Sequence, residues 1–375
     1  MEFFSTIDTP SGNAPAAELA RALAPAPTSA RSSAATRAPS PAWPPPSAAV
    51  VSAPSAASSS SSVVPVFTAD EIRLLQDPIP FSQYGDMHER ALRYMRWRRD
   101  DAARQEPEIA PTVEMASDAR LMRFLVAKAF DCPAAAEMYI GALRWRREAG
   151  IDELRDGLLA ANEPFFTQGS SCLQALGVHA RDDALMAVHP RTFTRPAPDG
   201  GHELLRDRHG NLLYIECPGL IVAAEVIALG AAEYTAAAHT SQELLQLILD
   251  ELSRRAGRLV LVLRVVDMNE VRLVKLMQSR QEKEGERLVK EAGKPFADAY
   301  PTTTYKNFLI NLPAAAGVAA PLIKAVVPAR SAKKVVLLGS KFTEELHKEA
   351  TPRMLPRMLG GELDDGEQWR RRKQK

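Results

Sequence analysis

The stretch Leu259–Val266, which reads LVLVLRVV, decides what kind of fold this chain can form. It has the length of one strand and is apolar almost throughout, which is typical of a strand covered on both faces. Similar short apolar runs at Leu212–Cys217, Phe308–Leu312 and Val335–Leu338 predict further buried strands. The centre of the chain therefore predicts the strands of one covered sheet.

Helical patterns alternate with these strands. Ser241–Arg255 places Leu244, Leu245 and Ile248 on one face, as an amphipathic helix does, and Val271–Glu291 predicts a highly charged helix. Alternation of strands and helices favours an α/β fold with a largely parallel or mixed sheet flanked by helices.

The residues before the first strand predict a helical region at 67–160. Thr68 and Glu71 have the spacing of a capping box, and Pro133 suits the first turn of a helix that stops at Gly150. Helices are predicted after Thr68, at Asp86–Arg104, at Asp118–Phe130 and from Pro133 to about Ala149.

The two ends of the chain have biased compositions. Residues 1–66 are rich in Ala, Pro and Ser, and such a stretch has too little bulky apolar surface to fold, so we predict a disordered tail. The alternative is a plastid transit peptide. Residues 364–375 form a predicted basic tail, ending in Arg370–Lys375.

Composition and motifs exclude several classes of function. The formal net charge of +1 does not indicate a nucleic-acid partner, and the three cysteines match no metal-ligand spacing. No run reaches the roughly 18 apolar residues that a membrane span needs. The sequence holds no dinucleotide fingerprint, phosphate loop, nucleophile elbow or zinc-protease motif. We therefore expect a binding protein without catalytic residues, metal or cofactor.

Three features carry more information. Pro313–Pro328, PAAAGVAAPLIKAVVP, is apolar on all sides, so it is either buried core or in contact with a lipid. Arg264 lies inside the apolar strand, where a charge needs a partner. That partner is either a helix carboxylate such as Glu251 or a ligand phosphate or carboxylate. Lys333-Lys334 precedes the last strand. These two lysines are either solvated at the entrance of the strand or contact a phosphate at the entrance of a lipid pocket.

Seven segments of the chain, taken in order, carry a recognisable signature. They are LMRFLVAKAFD (Leu121–Asp131), LRWRREAGIDEL (Leu143–Leu154), DRHGNLLYIECPG (Asp207–Gly219), LVLRVVDMNEV (Leu261–Val271), AYPTTTYKNFLINLP (Ala299–Pro313), VVPARSAKKVVLLGS (Val326–Ser340) and LPRMLGGEL (Leu355–Leu363). In this order they resemble the Sec14-like, or CRAL-TRIO, family of lipid-binding proteins, and the resemblance spans about residues 85 to 363.

The resemblance implies an α/β fold with an N-terminal helical lobe, at residues 67–160, and a CRAL-TRIO domain at 161–363. In that domain a mixed sheet floors an apolar lipid pocket closed by a gate helix. The gate corresponds to Pro313–Pro328. The residues expected to contact the gate or the membrane are Leu312, Val318, Leu322, Ile323 and Val326. The stretch from about 160 to 205 matches the family poorly.

The family's ligand-binding residues carry over in part. Lys128 keeps one of two basic residues used by inositol-lipid members, and Lys334 and Ser331 match a phosphate-contacting lysine and a nearby hydroxyl. A glutamate after the tyrosine–proline pair is Thr302 here. The full expected set is Lys128, Tyr214, Val262, Arg264, Tyr300, Ser331 and Lys334.

Val262 and Arg264 occupy positions where choline-lipid members carry small hydroxyl residues. Because side chains alternate along a strand, both should face the ligand.

The resemblance implies binding and intermembrane transfer of a phospholipid, with an anionic lipid such as phosphatidylinositol as first choice. The alternative is a lipid-sensing or protein-interaction adapter that no longer exchanges lipid. We expect a cytoplasmic monomer that meets membrane surfaces transiently, or a plastid protein if residues 1–66 are a transit peptide. We expect no nucleic-acid partner.

The gate assignment predicts that Ile323→Asp abolishes lipid transfer between vesicles while the protein stays folded. An acidic side chain at a lipid-contacting position opposes insertion between acyl chains. Transfer and thermal stability are measured on the same preparation. A loss of stability that matches the loss of transfer would show that the segment is ordinary core.

Overall fold

The computed structural model describes residues 63–75, 79–178, 185, 188–198, 200–269, 279–312 and 333–364. Most of the predicted N-terminal tail, the whole of the predicted gate segment Pro313–Pro328, Ser331 and almost all of the basic end lie outside these residues. Among the described residues, no helix is both long and apolar enough to cross a bilayer.

The first part of the described chain is helical. Its α-helices are α1 (Ala69–Leu75), α2 (Asp86–Gln105), α3 (Asp118–Ala127), α4 (Cys132–Glu148), α5 (Ile151–Ala161) and α6 (Glu163–Thr167). Capping residues determine where several of these helices begin. The Thr68 backbone N–H donates to Glu71 and the Glu71 N–H donates back to Thr68, which confirms the capping box. Ser117 caps α3 and Asp131 caps α4 through side-chain oxygens.

Two sheets follow. The strands are β1 (Cys172–Leu173), β2 (Arg191–Thr192), β3 (Thr194–Pro196), β4 (His202–Leu204), β5 (Leu212–Glu216), β6 (Val262–Asp267), β7 (Thr304–Ile310) and β8 (Val335–Leu337). The larger sheet has the order β2-β5-β6-β7-β8, and a three-stranded sheet has the order β1-β4-β3. Strand β2 is antiparallel and the other pairs of the larger sheet are parallel, which confirms the predicted mixed sheet.

The remaining helices lie between and after the strands of the larger sheet. They are α7 (Ala223–Leu229), α8 (Ala231–Ala256), α9 (Arg280–Gly293), α10 (Phe296–Ala299) and α11 (Thr343–Glu349). Short 3₁₀ turns occur at Phe81–Gln83, Pro107–Ile109, Pro218–Leu220, Pro352–Met354 and Arg357–Leu359.

The two faces of the larger sheet have different coverings. On one face Leu263, Val265 and Phe308 pack with α11 and the residues after it in one apolar core. On the other face Leu212 and Val262 pack against Leu245 and its neighbours on α8. Coverage on both sides explains why β6 is apolar at nearly every position.

A bulge in β7 sets which of its side chains share a face. Val262 pairs with Thr304, but Leu263 pairs with Lys306, so one extra residue of β7 lies between them. After the bulge, Asn307 pairs with Arg264. Thr304 and Asn307 therefore lie on the α8 face, although they are three residues apart.

Helix α8 also joins the helical region to the sheet through buried ion pairs. Arg146 of α4 contacts Glu243 at 2.8 and 2.9 Å, and the Tyr300 hydroxyl donates to the same carboxylate at 2.7 Å. Two nitrogens of the Arg120 guanidinium, on α3, donate to the same oxygen of Asp250. These pairs connect three helices through side chains that the solvent hardly reaches.

The predicted strands and helices have counterparts in the structure, with boundary differences. The helix predicted at Val271–Glu291 is described as Arg280–Gly293, and residues 271–278 lie outside the described residues. The helix predicted at Ser241–Arg255 begins earlier, at Ala231, because Gly230 supplies the break and the small residues after it pack in the core. Strand β7 begins at Thr304 rather than at Phe308, since its half-buried first residues lack an apolar pattern. Strand β6 begins at Val262, and α3 ends at Ala127.

Removing the charge of Arg146 should destabilise the fold strongly. Arg146→Leu leaves Glu243 buried with only the Tyr300 hydroxyl, and breaking such a pair costs about 3–5 kcal/mol. Arg144→Leu is the matched control, because Arg144 is half-exposed and pairs with Glu106 at the surface, where a pair contributes about 1 kcal/mol or less. Urea unfolding of both variants measures the difference. Equal losses would contradict the proposed role of the buried pair.

Candidate ligand-binding site

A cavity lies between the α8 face of the sheet and helices α8 and α10. Its volume is about 60 Å³. Its walls combine apolar, aromatic and polar side chains: Tyr214, Gln242, Leu245, Val262, Arg264, Phe296, Tyr300, Thr303 and Thr304. Ligand pockets usually enclose about 300–1,000 Å³. The space that these residues enclose therefore fits a small polar group, and a whole lipid needs further volume.

Arg264 is the charged side chain in this wall. It lies at the middle of β6, with 12% of its side chain exposed, and its Nε donates to the Glu216 carboxylate at 3.1 Å. One of its terminal nitrogens contacts the same oxygen. Glu216 is the last residue of β5, the neighbouring strand. The guanidinium thus forms a nearly buried ion pair across two parallel strands.

The partner of Arg264 differs from the carboxylate named as an example in the sequence analysis. That prediction named Glu251 of α8, but Glu251 pairs with Arg254 and Arg255 of its own helix. The Glu251 assignment is wrong, because these arginines lie three and four residues further along α8, within easy reach.

Glu216 also belongs to a chain of hydrogen bonds. His189 Nε2 lies 2.9 Å from its other oxygen, and His189 Nδ1 lies 2.8 Å from the Tyr234 hydroxyl. Burial lowers the pKa of His189 below its ordinary value, so the ring is neutral at neutral pH. A neutral ring has one donor. Nε2–H therefore donates to Glu216, and Nδ1 accepts from Tyr234.

The charge of Glu216 is fixed by its neighbours. Burial is the largest influence and opposes ionisation, but the Arg264 guanidinium and the hydrogen bond from His189 act in the opposite direction, and the pKa of Glu216 lies well below its usual range. Arg191 lies opposite Glu216 on β2, is 3% exposed and bonds with the Tyr214 hydroxyl. The cluster beside the cavity is thus ionised and hydrogen-bonded.

The structure brings four of the predicted ligand-binding residues together. Tyr214, Val262, Arg264 and Tyr300 all line the cavity. Lys334 lies next to it, because its ammonium donates to the carbonyl of Thr304, which is a wall residue.

Two other predicted residues lie elsewhere or outside the description. Lys128 is exposed at the C-terminal end of α3 and is not among the wall residues. Ser331 lies outside the described residues, as do Val318, Leu322, Ile323 and Val326 of the gate. Leu312 is described, and its N–H donates to the Leu338 carbonyl. Whether these residues contact ligand stays a prediction.

Several residues of the site escaped the sequence analysis. Glu216 could have been found, since strand alternation places it on the same face as Tyr214, two residues earlier. His189 and Arg191 lie in the stretch that matches the family poorly. No pattern in the sequence indicated that Gln242 or Thr303 would line the cavity. The described residues contain no group of three or more potential ligands arranged to hold a metal ion.

Comparison with known proteins shows what the chain is similar to. Residues 238–361 match the family model of the CRAL/TRIO domain. The SEC14 cytosolic factor of Kluyveromyces lactis is 23% identical over 255 residues, which cover 68% of this chain and 74% of the relative. The Sec14 cytosolic factor of Schizosaccharomyces pombe is 24% identical over 279 residues, covering 72% and 86%. A crystal structure of Sfh5 aligns with a TM-score of 0.46 at 16% identity, over 70% of this chain and 83% of that one.

The match to the CRAL/TRIO domain, over residues 238–361, includes strands β6, β7 and β8 of the mixed sheet and the part of α8 that lies against the cavity. The chain is thus similar to Sec14 proteins over about two thirds of its length, in agreement with the resemblance seen in the sequence.

The ion pair at the cavity predicts a specific pattern of stabilities. Arg264→Leu alone should destabilise the protein by about 3–5 kcal/mol, because it leaves the Glu216 carboxylate buried without its guanidinium. The double variant Arg264→Leu with Glu216→Leu should recover most of that loss, since an apolar pair can replace a buried ion pair. Denaturant unfolding of the single and double variants measures the coupling. If the two single losses simply add, the pair does not govern stability.

Proposed function

We propose that this protein binds one phospholipid and transfers it between membranes, without making or breaking a covalent bond. The observation that carries the proposal is the wall of the cavity. A guanidinium, a carboxamide and several residues with hydroxyl groups lie in the same wall as apolar and aromatic side chains. An amphiphile has the matching combination of a polar end and apolar chains.

Transfer by such a protein depends on how well it shields the acyl chains of the lipid from water. A lipid that leaves a bilayer must keep its acyl chains away from water, and burial of each CH₂ contributes about 0.8 kcal/mol. A protein that covers the chains offsets the loss of the bilayer and can return the lipid to another membrane. The apolar segment Pro313–Pro328 is the proposed cover.

We propose an anionic lipid, with phosphatidylinositol as first choice. Lys334 supports this, because its ammonium reaches the edge of the cavity at Thr304 and stands where the family resemblance implies a phosphate contact. Hydrogen bonds between a cation and a phosphate are about twice as strong as neutral ones. The resemblance supports Ser331 as a neighbouring hydroxyl and Lys128 as a further basic residue.

The remaining proposals concern where the protein acts. Its relatives are described as cytosolic factors, which supports a cytoplasmic protein that meets membranes only transiently. We also propose that it acts as a monomer and not as an enzyme. The alternative is an adapter that keeps the fold but does not exchange lipid. The following experiment distinguishes the two functions.

A transfer assay tests the proposal. The purified protein should carry a lipid in a native mass spectrum, and it should move labelled phosphatidylinositol from donor to acceptor vesicles faster than labelled phosphatidylcholine. Lys334→Gln should reduce that preference about tenfold, as expected for a lost charged hydrogen bond. Lys341→Gln is the matched control, because Lys341 is an exposed lysine just after the last strand.

The outcomes separate the proposed functions. Absence of bound lipid together with absence of transfer would contradict lipid exchange and support the adapter. Transfer of phosphatidylcholine at the same rate as phosphatidylinositol would contradict only the anionic preference.

A further inference from the structure

A second buried polar side chain lies on the cavity face of the sheet, one strand beyond Arg264. Asn307 of β7 is paired in register with Arg264 and is 8% exposed. Its two neighbours point to the opposite face, where Lys306 contacts Glu349 of α11 and Phe308 packs in the apolar core. Glu216, Arg264 and Asn307 therefore form a polar strip across three adjacent strands, which we call the floor strip.

The side chain of Asn307 has no partner in the described structure. Its backbone N–H donates to the Lys334 carbonyl at 2.8 Å, but its side-chain oxygen is fully buried and makes no hydrogen bond. Buried polar atoms are nearly always paired, and an exception needs an explanation such as a missing ligand. A strand residue held between two parallel neighbours also has little freedom to turn its amide towards solvent.

The chemistry of a carboxamide limits what can satisfy it. It carries an acceptor at one end and two donors at the other. A hydroxyl group both donates and accepts, so it satisfies the amide in either orientation. Ester and phosphate oxygens only accept, and the quaternary ammonium of choline does neither.

We propose that Asn307 recognises a hydroxyl group on the polar end of the bound lipid. The inference rests on the proposed function and assigns a specificity-determining residue to it. The neighbouring pair supports this choice, because the Glu216 carboxylate already neutralises the Arg264 guanidinium at that point of the strip. A neutral hydrogen-bonding group is therefore favoured beside it over a further ionised group.

The hydroxyl can come from two kinds of lipid. A polyol headgroup carries it next to a phosphate, whereas a neutral lipid such as diacylglycerol carries it alone. The cavity beside Arg264, of about 60 Å³, has room for a hydroxyl-bearing carbon but not for an acyl chain. Both sources present the same chemistry to Asn307, and the experiment has to separate them.

A pair of lipids with equal charge isolates the hydroxyl. Phosphatidylglycerol and phosphatidylmethanol are both anionic phosphodiesters, but only the first carries headgroup hydroxyls. Extraction from phosphatidylcholine vesicles containing equal amounts of one or the other should favour phosphatidylglycerol about tenfold, which corresponds to about 1.4 kcal/mol. Asn307→Leu should remove this preference and still extract phosphatidylmethanol. A third set of vesicles with diacylglycerol identifies a neutral lipid as the source if it is extracted best.

The control variant removes a comparable amide elsewhere. Gln246 of α8 is fully buried, has no hydrogen bond at either end of its amide and is not a wall residue. Gln246→Leu should therefore keep the preference for phosphatidylglycerol. If leucine does not fit at position 307, Asn307→Val gives the same comparison with a side chain suited to a strand.

The results separate this inference from the proposed function. Equal extraction of the two anionic lipids by the parent, or an unchanged preference in Asn307→Leu, would overturn the role of Asn307 and leave lipid transfer standing. A parent protein that extracts none of the lipids would overturn the proposed function, and the role of Asn307 with it.

Discussion

Two buried carboxylates on α8, Glu243 and Asp250, are the constraint on which the arrangement of the molecule depends. An ionised group in a protein interior needs a partner of opposite charge. The helical region can therefore dock only where Arg146 meets Glu243 and Arg120 meets Asp250. The opposite side of α8 packs on the sheet, so these ion pairs fix the helical region relative to the sheet and to the cavity between them.

The same contacts extend to the cavity wall. Tyr300 donates its hydroxyl to Glu243 and presents its ring to the cavity. Arg123, which is fully buried beside Asp250, donates to the backbone carbonyls of Thr302, just before β7, and of Val260, just before β6. Burial lowers the pKa of Arg123 to about 10, so the group remains charged at neutral pH. The helical region thus positions the strands that carry the site, rather than only covering them.

The polar groups of the site are held by one another before any ligand arrives. Tyr234, His189, Glu216 and Arg264 form a continuous chain of contacts beside the cavity. A guanidinium held in this way keeps its orientation, and fixed groups lose less conformational freedom on binding than mobile ones. The cost is that the network contributes little net stability, because its charges give up water. We interpret it as a device for selecting a ligand.

The bulge in β7 gives this strip its third member. Without the extra residue between Thr304 and Lys306, strand alternation would turn Asn307 to the opposite face and Lys306 to the cavity. A buried ammonium would then stand beside Arg264. The bulge avoids that clash of like charges and lets Lys306 reach Glu349 on the far side.

The sequence by itself determined the four parallel strands of the larger sheet and several of the helices, because apolar periodicity and capping residues act over a few neighbouring positions. It also placed Val262 and Arg264 on one face, since alternation along a strand is local. Only the tertiary structure decided that Arg264 meets Glu216 rather than Glu251, because that choice depends on which strands become neighbours. The same holds for the bulge that places Asn307 on the cavity face of the sheet, because it depends on the register between β6 and β7. It also holds for the contact of His189 with Glu216, because it depends on packing between distant segments, which no local pattern encodes.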